Sequence, residues 1–315
     1  MNVIKMKSWA FFFVALFSFV AQQSFAQEET LSTDSLKKYK PVAFPAGYQS
    51  SIDEVYTQVG DWKGRLDIYF QPNASKATPL IINIHGGGWK NGVKEQQGGF
   101  NPFFKAGFTV ANVEYRLTPV AKAPAAIEDV RCALIYLISN AKKFNIDVNR
   151  IVVMGGSAGG HLALMTGLLG NNHIFDKNCS GVEKIKVAAI IDKYGITDVW
   201  DWAYGPRGPE MKKSSSAKDW LGDKKDDQAF AKSVSPVAYI NKHNPPTLII
   251  HGNADSTVPY RQSVELHKMF EEAGVKTALI TVEGGGHGKF TKEKNAELGQ
   301  AIVNFIMELD TFKNN

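Results

Sequence analysis

From about residue 60 onwards the chain alternates between apolar runs and amphipathic segments. The β-type runs lie at 65–70, 80–85, 109–115, 150–154, 186–191, 247–251 and 277–282. Helical patterns lie between most of these runs, at 125–144, 158–169, 261–273 and 292–309. Several runs are apolar at nearly every position, which is typical of strands covered on both faces. The alternation predicts an α/β fold with a mostly parallel central sheet flanked by helices.

Segment 197–236 interrupts this rhythm. It shows no clear periodic element, and its aromatic side chains are Trp200, Trp202, Tyr204 and Trp220. A stretch of this length without its own secondary structure usually forms a functional loop or a small cap. We therefore expect a cap or insertion here. Its rings either stack on a sugar-like substrate or pack the cap onto the domain, and the pattern leaves both interpretations open.

The first 26 residues have the pattern of a secretory signal peptide. Lys5 and Lys7 precede an apolar run at 9–21, and small residues follow up to Ala26. The run is shorter than the roughly 20 residues that cross a bilayer. A buried N-terminal helix is the alternative interpretation. The pattern predicts cleavage after Ala26 and an exported protein, periplasmic or secreted, without a membrane span.

The remaining chain is predicted to form one domain. Residues 27–50 are polar and contain Pro41 and Pro45, so we expect a flexible lead-in. The domain itself is predicted to span 51–315. The only cysteines are Cys132 and Cys179, and the sequence leaves open whether they pair or whether Cys132 is a small buried apolar residue.

Charge and composition exclude several classes of protein. There are 36 Lys and Arg against 31 Asp and Glu, a net charge of +5 that falls to +3 without the leader's two lysines. This excess is too small to predict a nucleic-acid surface, which needs clustered basic residues. Hydrophobic residues make up 44% and charged residues 21%, which is ordinary for a globular protein.

A glycine-flanked serine lies between the apolar run at 150–154 and the helical pattern at 158–169. The sequence Gly155-Gly-Ser157-Ala-Gly159 fits G-x-S-x-G, the nucleophile elbow, in which a tight turn raises the hydroxyl above the sheet. The next amide, that of Ala158, is then at a helix N-terminus and can stabilise an oxyanion. The alternatives are a phosphate-binding turn or simple tight packing. We predict that Ser157 is a nucleophile.

A second glycine-rich motif closes the apolar run at 80–85. The sequence is His85-Gly-Gly-Gly-Trp89, and its glycines allow backbone amides to approach a ligand. A flexible turn is the alternative. Because a serine elbow follows later in the chain, we predict that the amides of Gly87 and Gly88 join Ala158 in an oxyanion hole.

A serine nucleophile needs a base and an orienting carboxylate. His287 follows the last apolar run, and Asp255 follows the run before it. Ligands of open parallel sheets bind in the loops after strands, and the order Ser157, Asp255, His287 is that of this hydrolase architecture. A turn residue and a helix cap are the alternatives for the two. No metal-ligand spacing and no phosphate-loop lysine are present, so no metal or nucleotide cofactor is predicted.

The motifs together resemble the α/β-hydrolase esterases, and within them the acetyl xylan and feruloyl esterase-like carboxylesterases. The matching motifs are His85-Gly-Gly-Gly-Trp89, Gly155-Gly-Ser-Ala-Gly-Gly160, His251-Gly-Asn-Ala-Asp255 and Gly286-His287-Gly288. The resemblance runs from about residue 50 to 310. It implies ester hydrolysis by a triad of Ser157, His287 and Asp255, with an oxyanion hole of backbone amides in which Trp89 could also take part.

The resemblance sets the expected substrate and its alternatives. Gly156 stands where related lipase-like enzymes usually carry Asp, which favours the polysaccharide-esterase branch. We expect a small acyl ester or an acylated oligosaccharide as substrate, with contacts from Trp89, Trp200, Trp202 and Tyr204. A peptidase or amidase with the same triad, a lipase-like esterase and a non-catalytic binding protein are the alternatives.

Overall fold

The computed structural model describes residues 39–179, 181, 184–206 and 215–313. The predicted signal peptide, residues 1–26, lies outside these residues and stays a prediction, as does the first half of the predicted lead-in, 27–38. Among the described residues, no helix combines the length and the apolar character needed to cross a membrane.

The described part of the chain contains an eight-stranded sheet with the order β1-β2-β4-β3-β5-β6-β7-β8. The first two strands pair antiparallel, β2 also pairs antiparallel with β4, and all other neighbours are parallel. The strands are β1 Gln49–Val59, β2 Trp62–Phe70, β3 Thr78–Ile84, β4 Thr109–Val113, β5 Ile146–Gly156, β6 Ala189–Lys193, β7 Thr247–Gly252 and β8 Thr277–Val282. The predicted mostly parallel sheet is confirmed.

Helices connect and cover the strands. They are α1 Asn101–Lys105, α2 Ala125–Ser139, α3 Ala158–Leu169, α4 Val199–Tyr204, α5 Ala217–Leu221, α6 Gln228–Ser233, α7 Tyr260–Glu272, α8 Lys292–Met307 and α9 Asp310–Lys313, with 3-10 turns at Lys94–Gln96, Gly222–Lys224 and Pro236–Tyr239. Helix α3 is buried along its whole length and packs on β5 and β6. This packing fixes the turn that precedes α3 against the middle of the sheet.

The structure differs from the sequence-based prediction in several elements. Strand β1 was not predicted, because most of its residues are partly or fully exposed and show no apolar run. Helix α2 ends at Ser139, five residues before the end of the predicted helix at 144. Strand β5 begins at Ile146, directly after Asn145 with its φ of 52°, whereas the predicted strand begins at 150. The described parts of insertion 197–236 contain the short helices α4, α5 and α6, which are too brief to show a period.

The two cysteines, left open by the sequence, form a disulfide between Cys132 of α2 and Cys179. The segment before Cys179 is held to the same helix by polar contacts. The Arg131 side chain donates to both oxygens of Asp176, at 2.7 and 2.5 Å, and Lys177 forms an ion pair with Glu128 at 2.8 Å. Covalent and ionic links therefore fasten this loop to α2.

Candidate active site

The turn between β5 and α3 has the geometry of a strained elbow. Ser157 has a φ of 58° and a ψ of −124°, a backbone conformation that non-glycine residues rarely adopt. A Cβ on Gly155 would overlap the carbonyl oxygen of Gly159, and one on Gly159 would overlap that of Ile84. The first helical hydrogen bond runs from the His161 amide to the Ser157 carbonyl, at 3.0 Å. The serine therefore sits immediately before the N-terminus of α3.

Ser157, His287 and Asp255 form one hydrogen-bonded series. The Ser157 hydroxyl lies 2.8 Å from His287 Nε2, and His287 Nδ1 lies 2.6 Å from Asp255 Oδ2. Asp255 accepts from Nδ1–H, which leaves Nε2 free to accept the serine proton. The three residues come from loops after β5, β7 and β8, so the carboxyl edge of the parallel sheet brings them together.

The carboxylate of Asp255 is fully engaged. Its Oδ1 accepts from the amides of Thr257 and Val258, at 2.7 and 3.0 Å, and its Oδ2 accepts from His287 and also from His251, at 3.0 Å. Burial raises the pKa of Asp255, but the hydrogen bonds from the two histidines and the nearby His287 outweigh burial and hold it well below its usual range. Asp255 is thus ionised at neutral pH.

His251 also belongs to the site, although the sequence analysis assigned it no role there. Its ring is fully buried. Since Nε2–H donates to Asp255, Nδ1 accepts from the Ser263 hydroxyl at 2.6 Å. The spacing of His251 and Asp255 along the chain gives only a weak signal, because the contact depends on the loop folding back over the end of β7.

The glycine loop after β3 lies against the serine. Gly87 and Gly88 have φ values of 115° and 62°, and a Cβ on Gly86 would lie 3.4 Å from Ser157 Cβ. Within the described part of the chain, no backbone carbonyl or side chain accepts a hydrogen bond from the amides of Gly87 and Gly88. Ala158 is buried as the first residue of α3. Gly87 and Gly88 thus line the same cleft as Ser157, Ala158 follows the serine in the chain, and their role as oxyanion donors stays a prediction.

These residues open into a cleft of about 690 Å³. Its walls come from the glycine loop, the elbow, the ends of β6 and β8 and the insertion, and they include Gly87, Gly88, Ser157, Lys193, Tyr194, Trp202, Ser216, Asp219 and His287. The insertion thus supplies one wall, and Lys90 of the glycine loop contacts its Asp219 at 3.7 Å.

The four aromatic residues predicted to contact the substrate occupy different environments in the structure, and only one of them lines the cleft. Trp202 is 2% exposed and lines the cleft, and its Nε1 donates to the Thr257 carbonyl at 3.0 Å. Trp89 is fully buried and stacks on Trp220, with ring centroids 4.2 Å apart, so its ring faces the interior. Trp200 and Tyr204 pack on each other at 4.3 Å, and neither lines the cleft. Most of these rings therefore pack the insertion onto the domain.

Two further residues that line the cleft were not identified from the sequence. Tyr194 has a φ of 45°, and its ring packs edge-on against His287 at 4.9 Å. Burial raises the pKa of Tyr194, and the nearby Asp255 carboxylate raises it further. Lys193, the last residue of β6, lies beside it. The only sequence feature that could have pointed to these two residues is their position just after the apolar run at 186–191.

Two further buried histidines, His85 and His161, lie outside this series and pack in the interior. His85 stacks on Tyr115, and burial lowers its pKa to about 4. His161 is fully buried, its Nε2 lies 2.8 Å from the Val234 carbonyl, and burial lowers its pKa to about 4 as well. In residues 39–313, as far as the structure describes them, no group of three or more His, Cys, Asp or Glu side chains is arranged to hold a metal ion.

Comparison with known proteins identifies related sequences. The BD-FAE family model matches residues 66–270, more than half of the chain. Esterase LipC of Mycobacterium tuberculosis is 27% identical over 217 residues, which cover 68% of this chain and 54% of LipC. Esterase LipQ of the same organism is 25% identical over 268 residues, covering 82% of this chain and 62% of LipQ. The chain therefore spans little more than half the length of these relatives.

Solved structures share the architecture. A truncated carbohydrate esterase from gut microbiota superposes with a TM-score of 0.72 at 29% identity, covering 84% of this chain and all of that one. A thermophilic esterase of the planctomycete Thermogutta terrifontis, Est2, gives 0.68 at 25% identity, covering 86% and 95%. The family model, which matches residues 66–270, shows that the chain belongs to the BD-FAE family. The strand order, the elbow and these structural matches show the α/β-hydrolase fold that the esterases share.

Proposed function

We propose that this protein is a serine carboxylesterase that removes short acyl groups, acetyl above all, from carbohydrates. The single observation that carries the proposal is the hydrogen-bonded series of Ser157, His287 and Asp255, open to a cleft beside a glycine-rich loop. This arrangement contains a nucleophile, a base and an ionised orienting carboxylate in contact distance, as acyl transfer requires.

The first half of the reaction transfers the acyl group to the enzyme. Ser157 Oγ attacks the ester carbonyl carbon while His287 Nε2 accepts the hydroxyl proton. The carbonyl oxygen becomes an oxyanion that accepts from the amides of Gly87, Gly88 and Ala158, each worth roughly 3 kcal/mol in the transition state. The bond to the alcohol oxygen then breaks, and His287 gives the proton to that oxygen.

The second half regenerates the serine. Water replaces the alcohol, His287 removes one of its protons, and the hydroxide attacks the acyl carbon. The tetrahedral intermediate uses the same amides, and His287 returns the proton to Ser157 as the carboxylic acid leaves. Asp255, held by four hydrogen bonds, stabilises the imidazolium in both halves.

Two observations support a carbohydrate ester as substrate. The related structure with the TM-score of 0.72 is that of a carbohydrate esterase. The cleft is open and lined by hydroxyl, amide and charged groups as well as Trp202, an environment suited to a polar chain and less to a lipid tail. An exported enzyme would meet such polymers, and the Cys132–Cys179 disulfide is in keeping with an oxidising compartment.

Replacement of the nucleophile tests the proposal. Ser157→Ala is expected to reduce hydrolysis of 4-nitrophenyl acetate to the rate without enzyme or close to it, a loss of about 10⁴-fold or more. Circular dichroism should show an unchanged fold, and a phosphonate should add its mass to the wild type alone. Turnover retained in the variant would falsify the assignment.

A substrate panel tests the finer proposal. We expect acetate release from acetylated xylan or pectin oligosaccharides to exceed the hydrolysis of long-chain lipid esters. A preference for long acyl chains would support the lipase-like alternative, and cleavage of amides without cleavage of esters would support a peptidase or amidase. Export is tested separately by the N-terminal sequence of the secreted product, which should begin at Gln27.

A further inference from the structure

Lys193 stands next to the nucleophile. It ends β6, where it pairs with Gly156, and neighbouring strands lie about 4.8 Å apart. The Ser157 amide donates to the Lys193 carbonyl at 2.9 Å, so the two backbones are locked together. The lysine lines the same cleft as Ser157 and His287. The backbone of Lys193 is therefore fixed relative to that of Ser157.

The ammonium group of Lys193 has no partner among the described residues: it makes no ion pair and donates no hydrogen bond. The other lysine of the cleft, Lys90, lies 3.7 Å from Asp219. The adjacent Asp192 is fully buried, and its Oδ1 accepts from the Gly195 amide at 3.0 Å, on the side of α3. Of the two described lysines in the cleft, Lys193 is the one without a matching carboxylate.

A half-buried, unpaired cation favours an anionic ligand. Burial has already removed part of the water around Lys193 and lowers its pKa, while the Asp192 carboxylate opposes this effect. An incoming carboxylate would meet a charge that is partly desolvated and fixed in place, where ion pairs are stronger than in water.

We propose that Lys193 binds a carboxylate of the substrate, so that the preferred ester carries a negative charge close to its acyl group. This inference rests on the proposed esterase function and narrows its substrate class. The carboxylate belongs either to the alcohol, as in an acylated uronic acid, or to the acyl group, as in a monoester of a dicarboxylic acid.

Matched pairs of esters distinguish the two sources. The alcohol pair is 4-acetoxybenzoate and 4-acetoxybenzamide, and the acyl pair is 4-nitrophenyl hydrogen succinate and 4-nitrophenyl butyrate. The quantity measured is the ratio of kcat/KM for the anionic ester to that for the neutral one. Lys193→Met is expected to lower this ratio about tenfold or more in one pair, the effect of one charged hydrogen bond.

Two further variants serve as controls. Lys193→Arg keeps the charge and should keep the ratio within about threefold of wild type. Lys90→Met removes the lysine that is paired with Asp219 and should change the ratio by about twofold at most. Added salt should lower the wild-type ratio, because screening weakens the attraction.

The outcomes separate this inference from the esterase proposal. A ratio that Lys193→Met leaves unchanged in both pairs, with Ser157 still labelled by a phosphonate, overturns the role of Lys193. A wild type that hydrolyses neither member of either pair overturns the esterase function instead. If Lys193→Met does not fold, a Lys193→Arg variant with the wild-type ratio and salt dependence supports the inference, and one without salt dependence contradicts it.

Discussion

At the scale of single residues, the site depends on how one carboxylate is shared. Asp255 Oδ2 accepts from His287 and His251 together, and the second of these histidines is itself held by Ser263. Because His251 is fully buried, it has no freedom to move away. We infer that it fixes the orientation of Asp255 and thereby that of His287.

Substitution of His251 tests this positioning role. His251→Leu removes one hydrogen bond to a charged group, so kcat/KM for 4-nitrophenyl acetate should fall about ten- to a hundredfold. The lost donor makes Asp255 more basic, so the acidic limb of the pH–rate profile should move to higher pH. His251→Gln, which keeps an N–H donor, should recover part of the rate. Equal losses in both variants with an unmoved profile would indicate a packing role only.

Asp192 predicts a dependence of stability on pH. Burial raises its pKa from 3.8 to about 7, while the Gly195 amide opposes this rise. Between pH 3.8 and about 7 the folded state therefore holds a proton on Asp192 that the unfolded state has lost. The resulting contribution to the unfolding free energy is fully present below pH 3.8 and is lost as the pH rises through about 7.

An uncharged variant isolates this effect. Between about pH 5 and about pH 8 the wild type should lose roughly 3 kcal/mol of unfolding free energy relative to Asp192→Asn, which cannot ionise. Urea denaturation at the two pH values measures how much the unfolding free energy of each protein changes with pH. A stability difference between the two proteins that is the same at both pH values cancels in this comparison. Parallel changes in the two proteins would show that Asp192 titrates normally.

At the scale of elements, the strand–turn–helix unit of β5 and α3 creates the nucleophile. The strained backbone of Ser157 is maintained because Gly155 and Gly159 let the start of α3 pack directly against β3 and β5. The sequence predicted this unit, since both the apolar strand and the glycine spacing are local features.

A single methyl group in the elbow should disrupt it. The Cβ of Gly159→Ala would meet the backbone carbonyls of Ile84 and His85, which cannot move aside as a side chain can. We expect a loss of roughly 3 kcal/mol in unfolding free energy and of most esterase activity. Gly98→Ala is the matched control, because nothing lies within 4 Å of its added Cβ and its φ is not positive. Similar effects of both substitutions would contradict this account.

At the scale of the whole molecule, the disulfide closes a stretch of chain that contains the nucleophile, because Cys132 precedes Ser157 and Cys179 follows it. It links residues 47 apart, and closing a loop of that size removes about 4 kcal/mol of conformational entropy from the unfolded state. We expect dithiothreitol to lower the free energy of unfolding by up to about this amount. The double variant Cys132→Ala, Cys179→Ala should be insensitive to reductant, and an equal response from it would assign the loss to another cause.

The sequence predicted the central part of the fold because the physical signals there are local. Strands buried on both faces need apolar residues at almost every position, which makes β3 and the middle of β5 visible in the chain. Strand β1 and the short helices of the insertion carried no such signal, since edge strands are largely exposed and a helix of five or six residues completes fewer than two turns.

By itself, the sequence determined the α/β architecture, the serine elbow and the identity of the residues that could form a catalytic series. Tertiary structure decided which of them meet. Only the folded chain shows that Asp255 serves two histidines, that Trp89 faces the interior and that Lys193 lies unpaired in the cleft among the described residues. The physical reason is that a strand or an elbow depends on residues adjacent in sequence. The burial of a side chain and its hydrogen-bond partners depend instead on segments distant in sequence that the sheet brings together.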